Sequence, residues 1–222
     1  HDAASTHDEH DHEHHDNFIT KYIFSTDHKM IAKQYLVSGI FWAFIGGFLS
    51  VLFRLQLGFP EMDMSFLKPI LGGWISETGK LDPTFYLALV TMHGTIMVFF
   101  VLTAGLSGTF SNYLIPLQIG ARDMASGFMN MLSYWLFFIS GLFMFASLFL
   151  EKGPAGGGWV VYPPLSALEQ AIPGSGLGMT LWLVAMTFFI ASQLMGGINY
   201  ISTVINLRTK GMSFSRLPLT IW

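Results

Sequence analysis

Two side chains stand apart from the apolar residues around them. His93 is the only histidine after His28, and Arg54 is the only basic residue inside an apolar stretch. An imidazole can bind a metal or a haem iron, and a nearby guanidinium can donate hydrogen bonds to the polar edge of such a macrocycle. A histidine bonded to a neighbouring helix and an arginine reaching towards lipid headgroups would explain the same residues. The residues alone leave both interpretations open.

A second group of polar side chains lies towards the opposite ends of the apolar segments. Asp123 lies in a short loop between two of them, and Asn112 and Asn130 lie just inside the segments on either side. A carboxylate at an aqueous mouth can collect protons, and neutral amides orient water without trapping a proton. Asp123 has a further interpretation as the N-cap of the helix that follows it.

A polar stripe is predicted on the last apolar segment. Ser192, Asn199, Thr203 and Asn206 are separated by 7, 4 and 3 residues. At 100° per residue of a helix they fall within roughly 60° of one another. Such a stripe could hydrogen-bond a row of waters and carry protons inward from Asp123. Hydrogen bonds that only hold helices together explain the same spacing equally well.

The elements that must position these residues are membrane helices. Hydrophobic residues make up 52 % of the 222 residues and charged residues 11 %, against about 25 % charged residues in soluble domains. Apolar segments at about 34–57, 85–117, 127–150 and 177–207 each exceed the roughly 20 residues that cross a bilayer as a helix. The final RLPLTIW predicts the start of a fifth span. The predicted fold class is therefore an all-α membrane protein with four transmembrane helices and the start of a fifth.

Charge indicates an orientation and excludes some functions. A net charge of -3 argues against nucleic acid as a partner, and the absence of cysteine excludes thiolate metal sites and disulfides. Lysine and arginine concentrate before the first span, in the loop 118–126 and after residue 207. The positive-inside rule then predicts that the N-terminus lies on the cytoplasmic side. The loops 58–84 and 151–176 should face outward, the latter with Trp159 and Tyr162 suited to the membrane interface.

Three regions follow from this pattern. Residues 1–16, HDAASTHDEHDHEHHD, are predicted to be a disordered cytoplasmic tail. A tail of this composition could also bind copper or another divalent metal. Residues 17–33 are predicted to be a cytoplasmic N-terminal segment, and residues 34–222 the transmembrane region.

Motifs along the chain resemble the N-terminal part of subunit I of the haem–copper oxidases, of the cytochrome c oxidase type. From about residue 24 onward, the matching segments are FSTDHKMIAKQYL, VLFRLQLG, TMHGTIMVFF, NYLIPLQIGARDMASGFMN, GGGWVVYPPL and GGINYISTVINL. The resemblance implies the first part of a twelve-helix bundle. It also implies the catalytic subunit of a terminal oxidase that reduces dioxygen to water and pumps protons.

The resemblance implies a role for each candidate residue. His93 would be an axial ligand of the low-spin haem, with haem A the expected type, and Arg54 would lie beside a substituent of that haem. Trp159 and Tyr162 would pack near its propionates. Asp123 would be the entrance of the D-pathway for protons. Further residues of that pathway would be Asn112, Asn130, Asn199 and Ser192.

The resemblance also implies components outside this stretch. The high-spin haem, the copper ion and their ligands are expected beyond Trp222, so no catalytic residue is assigned here. Expected partners are subunits II and III, cytochrome c or another electron donor, membrane lipid and a respiratory supercomplex. The expected location is the bacterial cytoplasmic membrane or the mitochondrial inner membrane.

Two alternatives remain open from the sequence. One is a quinol oxidase of the same superfamily, because subunit I motifs barely distinguish the electron donors. The other is a haem-free membrane transport or assembly subunit that uses the same polar stripe. A reduced-minus-oxidised spectrum of the complex separates this second alternative from an oxidase.

Overall fold

Four long helices make up most of the chain. A computed structural model describes residues 17–150, 152–172 and 175–222; the predicted tail at residues 1–16 lies outside these ranges. The helices are α1 (His28–Gly58), α2 (Pro83–Ile119), α3 (Gly127–Ser147) and α4 (Leu177–Leu207). All four are long and apolar enough to cross a membrane, and the described residues contain no β-strand, only an isolated bridge between Ile75 and Leu81. The prediction of an all-α membrane protein is confirmed.

The helix boundaries follow capping residues as much as apolar runs. Helix α4 has the predicted bounds, whereas α1 begins at His28 instead of near residue 34. The reason is Asp27, whose side chain accepts a hydrogen bond from the Met30 N–H and so caps the helix. The polar residues before the apolar run thereby become the first turns of α1. Helix α3 ends at Ser147, slightly before the predicted position near residue 150.

Helix α2 is continuous but not uniform. It is α-helical over Pro83–Thr95, has the wider π-helical pattern over Ile96–Ser107 and returns to α over Gly108–Ile119. Pro116 lies inside this last part. The helix ends at Gly120, whose φ of 73° is the left-handed conformation that glycine tolerates best.

Helices α1 and α2 cross closely because both carry a glycine at the crossing. A Cβ atom added to Gly39 would lie 2.8 Å from the Cα of Gly105. A Cβ added to Gly108 would lie 2.7 Å from Cδ1 of the Tyr35 ring. Small residues at a membrane helix crossing let the two backbones approach each other. Helix α1 also packs on α3, and α3 packs along α4.

Aromatic rings from all four helices meet in the middle of the bundle. Phe100 of α2 lies 4.8 Å from Trp42 of α1, 5.7 Å from Phe137 of α3 and 5.5 Å from Phe189 of α4, measured between ring centroids. We call these four rings the aromatic layer. The half of the bundle on the side of His93 is the His93 end, and the other half is the Asp123 end.

The two long connecting segments, after α1 and after α3, lie at the His93 end. The loop after α1 contains a short helix, Lys68–Leu71, and two exposed ion pairs, Lys68–Glu77 and Lys80–Glu61. At the Asp123 end, a 3-10 turn at Phe214–Arg216 follows α4. Residues 217–222 form turns rather than a helix, so the start of a fifth span stays a prediction.

Candidate functional site

His93 is held in an orientation that suits a metal ligand. Its Nδ1 lies 2.9 Å from the backbone oxygen of Gly46 in α1. A carbonyl oxygen only accepts, so Nδ1 carries the hydrogen and, in the neutral ring, Nε2 carries the lone pair. Among the described residues, none forms a hydrogen bond with Nε2. A backbone carbonyl on one ring nitrogen is a common way to orient a histidine whose other nitrogen binds a metal.

Glycine at position 46 makes this bond possible. A Cβ atom there would lie 2.8 Å from Sδ of Met97 and 3.1 Å from Cγ2 of Ile96. A larger residue would press on the side chains of Met97 and Ile96 and so disfavour this close approach of α1 and α2. The orientation of the imidazole therefore depends on the helix crossing as well as on His93.

The structure brings Arg54 near His93 without direct contact. The ring of Phe53 lies edge-on to His93, with centroids 5.7 Å apart, and the Arg54 guanidinium carbon lies 5.0 Å from the centroid of the same ring. Arg54 is exposed, and neither ion pair of the described residues includes it. Arg54 and His93 thus both lie against the ring of Phe53.

Trp159 lies beside the turn of α2 that carries His93, whereas Tyr162 is more exposed. The Trp159 ring lies 5.9 Å from Phe99, and a Cβ atom added to Gly94 would meet only Cδ1 of Trp159, at 3.9 Å. The N–H of Gly158, the residue before Trp159, donates to Oγ1 of Thr91 at 3.0 Å. This bond attaches the loop to α2. Tyr162 is 68 % exposed. Gly94 thus leaves open space next to His93, which a flat macrocycle requires.

Asp123 lies half-buried in the loop between α2 and α3. Its carboxylate accepts a hydrogen bond of 2.7 Å from the N–H of Met124. The interpretation of Asp123 as an N-cap is wrong, because Ser126 directly precedes α3 and its Oγ accepts from the Met129 N–H. The Asp123 carboxylate keeps further acceptor positions that a proton or water can use.

Part of the polar stripe on α4 holds this loop in place. Asn199 accepts from the Ser126 N–H at 2.9 Å and donates to the Ser126 carbonyl at 3.1 Å. Thr203 accepts from the Ala125 N–H at 2.9 Å. The stripe does not include Asn206, which is exposed because it lies one turn beyond the residues that contact the loop. Asn199 and Thr203 therefore attach α4 to the loop between α2 and α3.

Asn112 and Asn130 differ from Asn199 because they are buried with unused polar atoms. Nδ2 of Asn112 donates to the Gly108 carbonyl at 2.7 Å and to the Tyr200 hydroxyl at 3.0 Å, but its Oδ1 has no partner. Neither polar side-chain atom of Asn130 has a partner. A buried polar atom left unpaired costs about 1–3 kcal/mol, and ordered water is the usual partner of such atoms.

Hydroxyl groups continue from Asn130 towards the aromatic layer. Ser133 donates to the Asn130 carbonyl at 2.7 Å, and Ser192 donates to the Ser133 carbonyl at 2.6 Å. The Tyr35 hydroxyl lies 3.2 Å from Oγ of Ser133. The structure thus links Asn130 and Ser192 through the backbone and hydroxyl of Ser133, and it links Asn112 to Tyr200 of α4.

Sequence reasoning missed several members of this group. Ser133 lies one helical turn after Asn130, which is a signal that could have been used. Tyr35 and Tyr200 give no such signal, because a tyrosine in a membrane helix has many roles. His28 is 2 % exposed and bonds to the backbone of Asn112, although the sequence suggests only that it follows a histidine-rich tail.

Comparison with known proteins identifies the family. Residues 30–222 match the family model described as cytochrome c and quinol oxidase polypeptide I. The chain is 44 % identical over 203 residues to the alternative cytochrome c oxidase subunit 1 of Bradyrhizobium diazoefficiens, covering 91 % of this chain and 32 % of that protein. It is 39 % identical over 201 residues to the cytochrome c oxidase subunit 1 of Bacillus sp. (strain PS3), covering 90 % and 29 %. The chain belongs to the subunit I family of the haem–copper oxidases.

A third relative extends this range of organisms. The haem–copper oxidase subunit I+III of Aeropyrum pernix is 38 % identical over 205 residues, covering 92 % of this chain and 23 % of that protein. The chain spans about a third or less of the length of these relatives. The resemblance stated from the motifs is confirmed at the level of the family.

Proposed function

We propose that this chain is part of the catalytic subunit of a terminal respiratory oxidase that reduces dioxygen to water and pumps protons. The observation that carries the proposal is the bond from His93 Nδ1 to the Gly46 carbonyl, which leaves Nε2 available on a membrane helix. Membership of the haem–copper oxidase family supports the same function.

His93 would hold a low-spin haem, with haem A the proposed type, through Nε2. Arg54 would donate to a substituent at the haem edge, and Trp159 and Tyr162 would lie near its propionates. When bound, the haem supplies reversible one-electron transfer. Phe53 and Gly46 restrict the rotation of the imidazole, and so keep its lone pair directed at one position. The high-spin haem and copper would be held by residues outside this stretch.

Proton transfer would start at the carboxylate of Asp123. The unpaired amide atoms of Asn112 and Asn130 would orient waters between that carboxylate and Ser192, because a neutral amide donates and accepts hydrogen bonds but does not retain a proton. Asn199 would act indirectly, by holding the loop that carries Asp123.

The proposed orientation places the Asp123 end on the cytoplasmic side of a bacterial membrane or its mitochondrial equivalent. Proposed partners are oxidase subunits II and III, membrane lipid and the other complexes of a respiratory supercomplex. Cytochrome c is the proposed electron donor, since the relatives above from Bradyrhizobium and Bacillus carry names of cytochrome c oxidases. A quinol remains the alternative donor.

The test uses the assembled oxidase reconstituted in liposomes. Oxygen consumption is measured with reduced cytochrome c and, separately, with a quinol, while proton movement is followed with a pH dye. Asp123→Asn should slow proton uptake at least about tenfold without changing the haem spectra. The matched control is Asp82→Asn at the other end, where asparagine is an equally good helix cap. The proposal would be contradicted if the oxidase consumed oxygen with neither donor. It would also be contradicted if Asp123→Asn and Asp82→Asn slowed proton uptake equally.

A further inference from the structure

The backbone of α2 has a missing hydrogen bond beside the proposed proton route. In an α-helix the carbonyl of each residue accepts from the N–H four residues later. Four residues after Asn112 comes Pro116, which has no N–H. With His28 in place Asn112 is fully buried, so its carbonyl is not exposed to bulk water. The Asn112 carbonyl therefore needs a partner from elsewhere in the protein.

His28 supplies that partner. Its Nδ1 lies 2.8 Å from the Asn112 backbone oxygen, across 84 residues of sequence. Because the carbonyl only accepts, His28 must donate. His28 is the first residue of α1, and the Asp27 cap fixes the backbone from which its side chain projects. The imidazole thus replaces the N–H that Pro116 lacks and links the start of α1 to the end of α2.

We propose that His28 is a positioning residue of the proton route and acts through Asn112. This inference rests on the proposed function of that route. The bond to His28 fixes the turn of α2 that carries Asn112, and with it the direction of the side chain. Both hydrogens of Nδ2 are already used by Gly108 and Tyr200. Only Oδ1 is left to accept a hydrogen bond from water, and its position changes if this turn moves.

Without the donor, the turn around Asn112 would be free to change. A carbonyl freed by proline is where membrane helices bend, and a water or a shifted side chain then takes the vacant position. Either event moves the Asn112 amide relative to Tyr200. A displacement of about 1 Å at a transfer site can lower a rate by a large factor. Loss of the His28 donor should therefore slow proton uptake rather than electron transfer to the low-spin haem.

The test combines a matched pair at position 28 with a change at Pro116, all in the assembled oxidase. His28→Asn places an amide nitrogen at the position of Nδ1, two bonds from Cβ, whereas His28→Gln places it one bond further away. Proton uptake after rapid reaction of the reduced enzyme with dioxygen should stay within about twofold of wild type for His28→Asn. It should fall roughly tenfold for His28→Gln.

Rescue by Pro116→Ala separates this role from ordinary packing. Alanine restores the N–H four residues after Asn112, so the carbonyl no longer depends on His28. The rate of proton uptake of the double variant His28→Gln/Pro116→Ala should therefore lie within about threefold of the rate of Pro116→Ala alone. If His28→Gln lowers the yield of assembled enzyme, the same rescue should appear in the yield.

The outcomes distinguish this inference from the function on which it rests. Equal rates for the two His28 variants, or a double variant no faster than His28→Gln, would overturn the positioning role. In both cases Asp123→Asn should still slow proton uptake if the route itself is correct. An unchanged rate in Asp123→Asn would instead reject the proposed route and, with it, this inference.

Discussion

Asn130 and Asn199 are both buried asparagines at the Asp123 end, yet their hydrogen bonds differ. Asn199 forms two bonds with the backbone of Ser126, whereas both polar side-chain atoms of Asn130 are unpaired. A membrane protein retains such unpaired groups at a cost, which indicates a functional use. We therefore expect the two interpretations that the sequence leaves open, proton transfer and helix attachment, to apply to different residues: proton transfer to Asn130 and helix attachment to Asn199.

This difference predicts that leucine at position 199 lowers stability, whereas leucine at position 130 slows proton uptake. Asn199→Leu leaves the Ser126 N–H without its partner and removes one of the two hydrogen bonds to the Ser126 carbonyl, which also accepts from the Asn130 N–H. The expected destabilisation of the oxidase is about 1–3 kcal/mol. Asn130→Leu removes only atoms without protein partners, so the apparent melting temperature should stay near that of wild type while proton uptake slows. Thermal denaturation and single-turnover proton uptake of both variants provide the test. Equal destabilisation by the two variants would show that Asn130 is structural.

At the scale of elements, the α1–α2 crossing positions both ends of the molecule. Gly39 and Gly105 bring the two helices together at the crossing, and the same pair of helices forms the His93–Gly46 bond at one end and the His28–Asn112 bond at the other. A change of this crossing should therefore disturb the proposed haem site and the proposed proton route together.

Gly105→Ala is the substitution that tests the crossing. Its methyl group would lie 2.9 Å from the Cα of Gly39, where backbone must move, and the expected cost is about 1–3 kcal/mol. Gly197→Ala is the control, since a Cβ there meets nothing within 4 Å and alanine favours helix. Melting temperatures of the two assembled variants should differ accordingly. A Gly105→Ala enzyme as stable as the Gly197→Ala enzyme would contradict the importance of this approach.

The sequence predicts the spans well because each apolar run exceeds the bilayer thickness by itself. It misplaces the start of α1, since the cap at Asp27 extends the helix through residues that look like a polar segment. It also misses His28, because a contact across 84 residues depends on how α1 and α2 cross. The absent N–H of Pro116 is visible in the sequence, but the identity of the donor that replaces it is not.

At the scale of the whole molecule, the two polar sets lie on opposite sides of the aromatic layer. Phe100 contacts rings from the other three helices in that layer. His93 and Arg54 share one end and the Asp123 group the other, as the alternation of spans predicts. The sequence does not predict which side chains of neighbouring helices contact each other at either end. The reason is that the four apolar segments have similar hydropathy and show no clear packing face.

Labelling of single cysteines tests the proposed orientation. The chain has no cysteine, and Lys152 and Lys210 are exposed residues near opposite ends of the bundle. In intact cells, a membrane-impermeant maleimide should label Lys152→Cys, whereas Lys210→Cys should react only after the membrane is opened. The positive-inside rule gives this expectation. Labelling of Lys210→Cys alone in intact cells would mean the inverse orientation.

The haem assignment of His93 is the central claim, and a spectrum of His93→Ala tests it most directly. The assembled oxidase is compared with Gly197→Ala, a helix variant remote from the site, by reduced-minus-oxidised absorption and by electron paramagnetic resonance. Alanine lacks the Nε2 ligand, so the low-spin haem signals should disappear in His93→Ala and remain in Gly197→Ala. An assembled His93→Ala enzyme with unchanged low-spin haem signals would contradict the assignment.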